Sequence, residues 1–296
     1  MTQTIAVIGL GAMGFAAAKR LHELGHTVTG CDIRPESIEA FKALGADATD
    51  DAKAAVADAD TVILFVVNAD QVDAILFDAG VLAATKPDTT LISMVTSAPS
   101  RAAATAKRVD AAQRMFLDAP VSGGVPGIEA GTLTIMVGAN DRAFARAEPL
   151  LRQIGSNTFR VGAEPGQGSA MKTVNQLLAG VHIAAGAEAL ALAEKSGIDT
   201  GLALQILTSG AASSWMLENR GPRMIEPGDT VASAVEIFVK DLGIVLDTGR
   251  QERIGLPLSA AAHQQFLNAS GVGLGAADDS QVVEVYRAMS KRGGES

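Results

Sequence analysis

The chain has 296 residues, of which 48% are hydrophobic and 19% are charged, and it carries a net charge of -9 at neutral pH. This length and composition predict a globular protein with a large core and two domains rather than one. The acidic balance, without any Lys/Arg run longer than two residues, argues against a nucleic-acid partner. A single cysteine, Cys31, excludes an intramolecular disulfide framework and suits a reducing compartment.

The sequence contains no recognisable targeting or membrane segment. The first residues, MTQTIAVIGLGAMG, lack a basic region, and glycines interrupt their apolar run. No uninterrupted apolar segment approaches the roughly 20 residues of a membrane span. We therefore expect a cytoplasmic protein without a membrane partner.

The first half of the chain alternates short apolar runs with segments of helical spacing. The predicted strands are 4–8, 26–32, 61–67, 89–95, 114–120 and 132–138. Strands that alternate with helices of about ten residues indicate βαβ units. The fold class predicted for this half is α/β, a doubly wound and mostly parallel sheet of the Rossmann type.

The pattern changes at the Pro/Gly cluster 165–168, after which no strand is predicted. The predicted helices are 168–196, 200–209, 233–252 and 257–270. The change places an α/β domain at 1–163 and an all-helical domain at 164–296. Because the helical half is rich in alanine and leucine, we expect it to need partners, which favours a homodimer or homotetramer.

A G-x-G-x-x-G motif directly follows the first predicted strand and opens a helix. It consists of Gly9, Leu10, Gly11, Ala12, Met13 and Gly14. Its glycines permit a tight turn, a close backbone approach to a pyrophosphate and close packing of helix on strand. The N–H groups at the start of the helix attract the anion. We therefore predict a dinucleotide site in domain 1–163.

Asp32 ends the second predicted strand, where a carboxylate can accept hydrogen bonds from the ribose hydroxyls of a dinucleotide. A 2′-phosphate would meet like charge there, so NAD is favoured over NADP. Arg34 could turn toward such a phosphate, so NADP remains the alternative. The neighbouring Cys31 is expected to be a small core residue.

The loop DAPVSGGVPG at 118–127 follows a predicted strand, and ligands of parallel sheets bind beyond the carboxyl ends of strands. Ser122 offers a hydroxyl, and Gly123 and Gly124 expose successive N–H groups. This arrangement suits a small carboxylate. An ordinary glycine-rich loop would have the same composition.

Lys172 lies in GSAMKTVNQLLAG, a small, apolar and helix-forming segment at 168–180. Helical spacing puts Lys172, Asn175 and Gln176 on one face. A lone helical lysine is ordinarily a solvated charge, but the apolar neighbours and the nearby domain boundary favour a cleft. A lysine desolvated in a cleft can exchange a proton near neutral pH. The histidines have no ligand spacing, so no metal site is expected.

Together these motifs resemble the β-hydroxyacid dehydrogenases, the family that includes 3-hydroxyisobutyrate dehydrogenase and tartronate semialdehyde reductase. The resemblance covers nearly the whole chain. The matching segments are GLGAMG at 9–14, DAPVSGG at 118–124, GQGSAMKTVNQ at 166–176 and FVKDLG at 238–243. NQLLAGVHIAAGAEALALAEKSGI, SSWMLENR and AVEIFVKDLG most resemble the L-threonate dehydrogenase branch of the family.

The resemblance implies a hydride transfer between NAD or NADP and a small hydroxy acid. It makes Lys172 the catalytic acid/base, with Asn175 orienting it and the reacting hydroxyl. The implied substrate-binding residues are Ser122, Gly123, Gly124, Asn175, Gln176 and Trp215. Beside the glycine turn, Asp32 and Arg34, the implied cofactor-binding residues are Val67, Asn68, Thr96, Phe238 and Lys240. From the residues alone, a lysine on the surface of an amphipathic helix is the favoured explanation of Lys240. Trp215 is equally well explained as a core or interface anchor.

The amide pair Asn175-Gln176 departs from the family pattern. The family commonly has two asparagines there, and the L-threonate branch has histidine in the first position. The substrate therefore stays open among L-threonate or a related sugar acid, 3-hydroxyisobutyrate and tartronate semialdehyde. A non-catalytic dinucleotide-binding protein would need only the glycine turn, and an imine reductase of the same architecture typically lacks the lysine.

Overall fold

The sheet occupies the first part of the chain. The computed structural model describes residues 2–228 and 231–289. Within that part of the chain, nine strands form one sheet in the order β3-β2-β1-β4-β5-β6-β8-β7, with β9 paired to β8. The strands are β1 (Thr4–Ile8), β2 (Thr27–Cys31), β3 (Asp47–Thr49), β4 (Thr61–Leu64), β5 (Thr90–Ser93), β6 (Met115–Asp118), β7 (Val121–Ser122), β8 (Thr134–Gly138) and β9 (Asn157–Gly162). β8 is antiparallel to β6 and β7, and the other pairs are parallel, which confirms the predicted fold class.

The helices of the described chain follow in the same numbering. They are α1 (Ala12–Glu23), α2 (Pro35–Lys42), α3 (Ala52–Val56), α4 (Ala69–Asp73), α5 (Val81–Ala84), α6 (Pro99–Ala111), α7 (Gly124–Ala130), α8 (Asp141–Ile154), α9 (Gln167–Lys195), α10 (Thr200–Ser209), α11 (Trp215–Ile225), α12 (Val235–Gln251), α13 (Pro257–Ala269) and α14 (Val283–Met289). Short π-helical or 3-10 turns occur at Ala74–Asp78, Ser270–Leu274 and Asp279–Val282.

The sheet is buried on both faces because side chains alternate along its strands. On β1, Ile5 and Val7 enter one core, and Ala6 and Ile8 enter the other. Helices α1, α2, α7 and α8 contribute to the first core, and α3 to α6 contribute to the second. Burial on both faces explains why the central strands are continuous apolar runs.

Three strands that the sequence did not predict, β3, β7 and β9, each pair with a single neighbouring strand. β3 has three residues and pairs only with β2, and β9 pairs only with β8. Most side chains of β9 are exposed. Such strands need no apolar run, so apolar periodicity does not detect them.

The chain divides into two compact units, Met1–Lys172 and Thr173–Ser296, here called the sheet unit and the helical unit. The longest helix, α9, ends just before Gly197, whose φ of +74° suits only glycine without strain. The domain limits expected from the sequence, 1–163 and 164–296, remain a prediction.

By length and composition α9 could cross a membrane, unlike the other described helices. Half of its most apolar stretch is buried inside the protein. The core helix of a soluble protein passes the same test, so this property alone assigns no membrane role.

The helical unit has its own apolar core, in which Phe238 stacks on Phe266 with ring centroids 5.1 Å apart. Its described residues contain helices and one isolated bridge between Ala234 and Asp278, but no strand. Helix α11 escaped prediction because Pro222, in a Gly-Pro pair, lies inside it and ordinarily signals a break.

Candidate active site

Each of the three motif glycines in the first turn is explained by a different physical requirement. Gly9 has φ +96°, and a Cβ there would lie 2.5 Å from the Phe65 carbonyl oxygen. A Cβ on Gly14 would overlap the Gly9 carbonyl oxygen, so helix and strand could not pack as closely. Gly11 differs: its φ of -66° suits any residue, and an added Cβ would meet nothing within 4 Å. The fold therefore does not require glycine at position 11, whereas a closely approaching ligand would.

The start of α1 fits a phosphate group. Gly11 caps the helix without a side-chain hydrogen bond, and its first turn carries no acidic residue. The N-terminal N–H groups and the helix dipole favour an anion at this end. The open space at Gly11 and this polarity together fit the pyrophosphate of a dinucleotide.

Asp32 and Arg34 form a compact pair beside the turn. The Asp32 Oδ2 atom accepts from the Leu10 N–H at 2.7 Å, and Oδ1 accepts from the Arg34 N–H at 2.9 Å and from its Nε at 3.1 Å. Burial alone would raise the pKa of Asp32, but the hydrogen bonds from Arg34 and Leu10 hold it below its ordinary value of 3.8. The lowered pKa keeps the Asp32 carboxylate ionised near neutral pH, and its repulsion of a 2′-phosphate remains a prediction. Neighbouring Cys31 is buried, and burial raises the pKa of its thiol to about 11.

Val67 and Asn68 lie beyond the carboxyl end of β4, which pairs with β1, and Thr96 lies beyond the carboxyl end of β5, the next strand of the sheet. The Asn68 side chain caps α4 by accepting from the Gln71 N–H, and the Val67 N–H donates to Gln71 Oε1. Val67 is 55% exposed. The sheet therefore brings these three residues to the same edge as the glycine turn, and their cofactor contacts remain a prediction.

Ser122 ends β7, and Gly123 and Gly124 begin α7. Gly123 has φ +124° and Gly124 has φ +65°, conformations that side-chain-bearing residues rarely adopt. Backbone conformation alone thus accounts for both glycines. Their role in binding a carboxylate stays a prediction.

Lys172 is buried in the first turns of α9, with 6% of its surface exposed. The start of that helix is fixed by Asp118, which lies at the carboxyl end of β6. Asp118 Oδ2 accepts from the N–H groups of Gly166 at 2.8 Å and Ser169 at 2.7 Å, and Oδ1 accepts from Ser169 Oγ at 2.7 Å. Burial raises the pKa of Asp118, although these hydrogen bonds act in the opposite direction.

The helical unit joins three predicted residues in one polar chain. Asn175 Nδ2 donates to Gln176 Oε1 at 2.9 Å, and Gln176 Nε2 donates to Asp241 Oδ2 at 2.5 Å. Lys240 Nζ donates to Asp241 Oδ1 at 2.5 Å. Gln176 and Asp241 are both buried. Asp241 therefore connects the amide pair with Lys240.

The other two predicted residues of this unit behave differently from each other. Phe238 is 2% exposed and stacks in the core, so its ring is a packing element and only its backbone remains open to a cofactor role. Trp215 is 53% exposed, which removes the core-anchor interpretation. Its ring lies 6.0 Å from the guanidinium of Arg220, which is itself paired with buried Asp279.

The sequence reasoning gave no role to Asp118 or Asp241. Both lie inside quoted motifs, DAPVSGG and FVKDLG, and both are acidic residues in apolar surroundings. A carboxylate is rarely buried unless it is paired or hydrogen-bonded, and that was the available signal. In the described part of the chain, no cluster of three or more His, Cys, Asp or Glu side chains could hold a metal ion.

Comparison with known proteins gives a consistent relationship along the chain. The NAD binding domain of 6-phosphogluconate dehydrogenase matches residues 4–162, and the NAD-binding domain of NADP-dependent 3-hydroxyisobutyrate dehydrogenase matches 166–286. The L-threonate dehydrogenase of Cupriavidus necator is 44% identical over 287 residues, with 97% of each chain covered. That of Escherichia coli K12 is 40% identical, with 99% of this chain and 97% of the relative covered. A crystal structure of 3-hydroxyisobutyrate dehydrogenase from Salmonella typhimurium has a TM-score of 0.91 at 39% identity, with 96% of this chain and 99% of that chain covered.

Proposed function

This chain belongs to the β-hydroxyacid dehydrogenase family that includes 3-hydroxyisobutyrate dehydrogenase, and we propose that it oxidises L-threonate, or a closely related sugar acid, with NAD. Membership makes it an oxidoreductase that acts on the CH–OH group of a small acid with a nicotinamide dinucleotide. The observation that carries the proposal is the buried Lys172 at the start of α9, in a unit that also contains the dinucleotide turn.

In the proposed reaction, Lys172 acts as the general base for oxidation. Its neutral amine takes the hydroxyl proton of the substrate and becomes an ammonium group, and it returns that proton in the reverse direction. When bound, the nicotinamide supplies the hydride acceptor for the carbinol carbon. The proton and the hydride that leave the alcohol are thus both accounted for, and the product is a keto acid.

Ser122, Gly123 and Gly124 are proposed to hold the substrate carboxylate through a hydroxyl and two N–H groups. Fixing the carboxylate orients the reacting carbon, and this orientation accounts for much of the rate of a dehydrogenase. Asn175 is proposed to orient the hydroxyl and Lys172. Gln176 and Trp215 are proposed to shape the substrate pocket, and the departure at Asn175-Gln176 makes them the candidates for substrate choice.

The glycine turn, Asp32, Val67, Asn68, Thr96 and Lys240 are proposed to hold the dinucleotide. The ionised Asp32 carboxylate supports NAD as the preferred form, because a 2′-phosphate would be repelled there. Two observations support Lys240: it lies in the family motif FVKDLG, and its amine is held by a hydrogen bond to Asp241.

We further propose that the helical unit forms a homodimer or homotetramer and that the enzyme is cytoplasmic. Exposed apolar side chains along α9 support the oligomer, since Val174 and Leu178 are each 51% exposed and Leu192 is 67% exposed. Neither a nucleic acid nor a membrane is part of the proposed function.

A substrate panel tests the proposal. The purified protein is assayed for NAD reduction with L-threonate, D-glycerate, 3-hydroxyisobutyrate and 3-hydroxypropionate, and for the reverse reaction with tartronate semialdehyde and NADH. The expected result is the highest kcat/KM with L-threonate. A clear preference for 3-hydroxyisobutyrate, the substrate in the name of the Salmonella relative, would replace the substrate assignment and leave the class intact. Tight NADH binding with no turnover of any acid would favour a non-catalytic dinucleotide-binding protein.

A further inference from the structure

The start of α9 is held against the sheet by one buried carboxylate. Asp118 is 1% exposed and receives three hydrogen bonds, two from backbone N–H groups of the first turn and one from the Ser169 hydroxyl. An ionised acceptor at a helix N-terminus is stabilised by the free N–H groups and by the helix dipole. Ser169, which supplies two of the bonds, lies three residues before Lys172.

Close packing leaves this helix start little freedom. A Cβ on Gly168 would overlap the Asp118 carbonyl oxygen, and a Cβ on Gly138 would lie 2.8 Å from the Gly168 nitrogen. Both glycines therefore let α9 press directly on the ends of β6 and β8. The hydrogen bonds of Asp118 with Gly166 and Ser169 then fix how the first turn of α9 is placed against β6.

Asp118 is linked to two other parts of the candidate site, along the chain to Ser122 and through Ser169 to Ser97. Asp118 begins the segment that ends in Ser122, and the Ser169 hydroxyl lies 3.3 Å from the Ser97 hydroxyl. Ser97 follows Thr96, a predicted cofactor contact. One buried network thus joins the loop after β5, the loop after β6 and the start of α9.

From this geometry we infer that Asp118 is a positioning residue, which sets Lys172 relative to the carboxylate-binding loop through the Ser169 turn. The inference rests on the proposed function, because it presumes that Lys172 handles the proton. Asp118 is too buried and too fully hydrogen-bonded to meet a substrate itself. Its effect is therefore expected on the turnover step, and dinucleotide binding should be preserved.

Three variants separate positioning from simple stability. Asp118→Ala removes all three hydrogen bonds. Asp118→Asn is the conservative variant, since its amide oxygen can accept from both N–H groups and its amide nitrogen can donate to the Ser169 hydroxyl. Ser169→Ala removes the hydroxyl contacts with Asp118 Oδ1 and Ser97 Oγ and leaves both backbone bonds to Asp118 in place.

For each variant, kcat and KM are measured with the best acid of the panel, the NADH Kd by fluorescence, and the number of NADH sites by titration. Dividing kcat by the number of sites removes the effect of misfolded protein. Asp118→Ala is expected to lower kcat per site roughly 10- to 100-fold, because small misplacements of reacting groups have effects of that size. Its NADH Kd should stay within about threefold of wild type, and Asp118→Asn should recover most of the loss.

A purely structural role would reduce the number of NADH sites and leave kcat per site unchanged, which would overturn the inference. If Asp118→Ala does not fold, Ser169→Ala decides, with an expected loss in kcat per site of about threefold. Wild-type kcat per site in Ser169→Ala would then overturn it. Lys172→Ala is measured in parallel. If Lys172→Ala turns over normally, the proposed function fails. If Lys172→Ala is inactive and Asp118→Ala turns over normally, only the positioning role of Asp118 is overturned.

Discussion

The sheet unit and the helical unit present their candidate functional groups in different ways. In the sheet unit, backbone N–H groups at the start of α1 and in the Gly123-Gly124 loop stand beside the side chains of Asp32, Ser122 and Lys172. In the helical unit they are side chains, joined as Gln176, Asp241 and Lys240 across 65 positions of sequence. A backbone site requires particular glycines in one short motif, whereas a side-chain network is assembled by packing. The two kinds of site should therefore fail in different ways when mutated.

In the glycine turn, substitution of Gly14 is expected to have the largest effect on stability. Gly14→Ala is expected to lower the free energy of unfolding by about 3 kcal/mol, because the new Cβ overlaps the Gly9 carbonyl oxygen. Gly11→Ala is the matched control, since its Cβ meets open space, and it should change stability by less than about 1 kcal/mol. Urea denaturation measures both.

NADH titration of the same pair completes that test. Gly11→Ala should weaken NADH binding roughly tenfold or more while the fold stays intact, because the methyl group would enter the space in which we propose that the pyrophosphate binds. Wild-type NADH affinity in Gly11→Ala would show that the open space at this glycine does not serve the dinucleotide.

The side-chain network of the helical unit is tested by Asp241→Asn. Losing the charged acceptor of Gln176 and Lys240 should lower the free energy of unfolding by about 1–3 kcal/mol. The control is Asp247→Asn on the same helix, whose ion pair with Arg250 is exposed and should contribute little. Equal changes in the free energy of unfolding for the two variants would mean that the buried hydrogen bonds of Asp241 stabilise the protein no more than an exposed ion pair does.

The smallest expected effect concerns coenzyme choice. Asp32→Asn should raise the ratio of kcat/KM for NADP over NAD roughly tenfold, because it removes the like charge and frees Arg34 for the 2′-phosphate. Since the pKa of Asp32 lies below 3.8, its carboxylate stays ionised at higher pH, and the wild-type ratio should be constant above about pH 5. Adding Arg34→Ala should cancel part of the gain, and an unchanged ratio in Asp32→Asn would contradict the role of the carboxylate.

The sequence predicted what short-range chemistry determines. The strands of the sheet core, the turn at Gly9–Gly14 and the extent of α9 could all be inferred from apolar runs and glycines. The edge strands β3 and β9 lacked an apolar run, and α11 was hidden by Pro222 in its interior. Those elements form because neighbouring segments supply hydrogen bonds and packing that no local pattern records.

The candidate site divides in the same way. Lys172 stood out because a charge in an apolar helix is unusual, but its anchor at Asp118 depends on contacts 48 and 51 positions away. Phe238 shows the reverse case: the motif match predicts a cofactor contact, which stays a prediction, and the ring itself packs against Phe266. Motifs locate a functional segment, and packing decides which of its side chains face a ligand.

The central claim, that Lys172 handles the substrate proton, is tested most directly by the turnover of Lys172→Ala with the best acid of the panel. We predict a loss in kcat of at least roughly two orders of magnitude, with NADH affinity within about threefold of wild type. Lys195→Ala, an exposed lysine in the last turn of the same helix, should be unchanged. Wild-type-like turnover in Lys172→Ala would contradict the account.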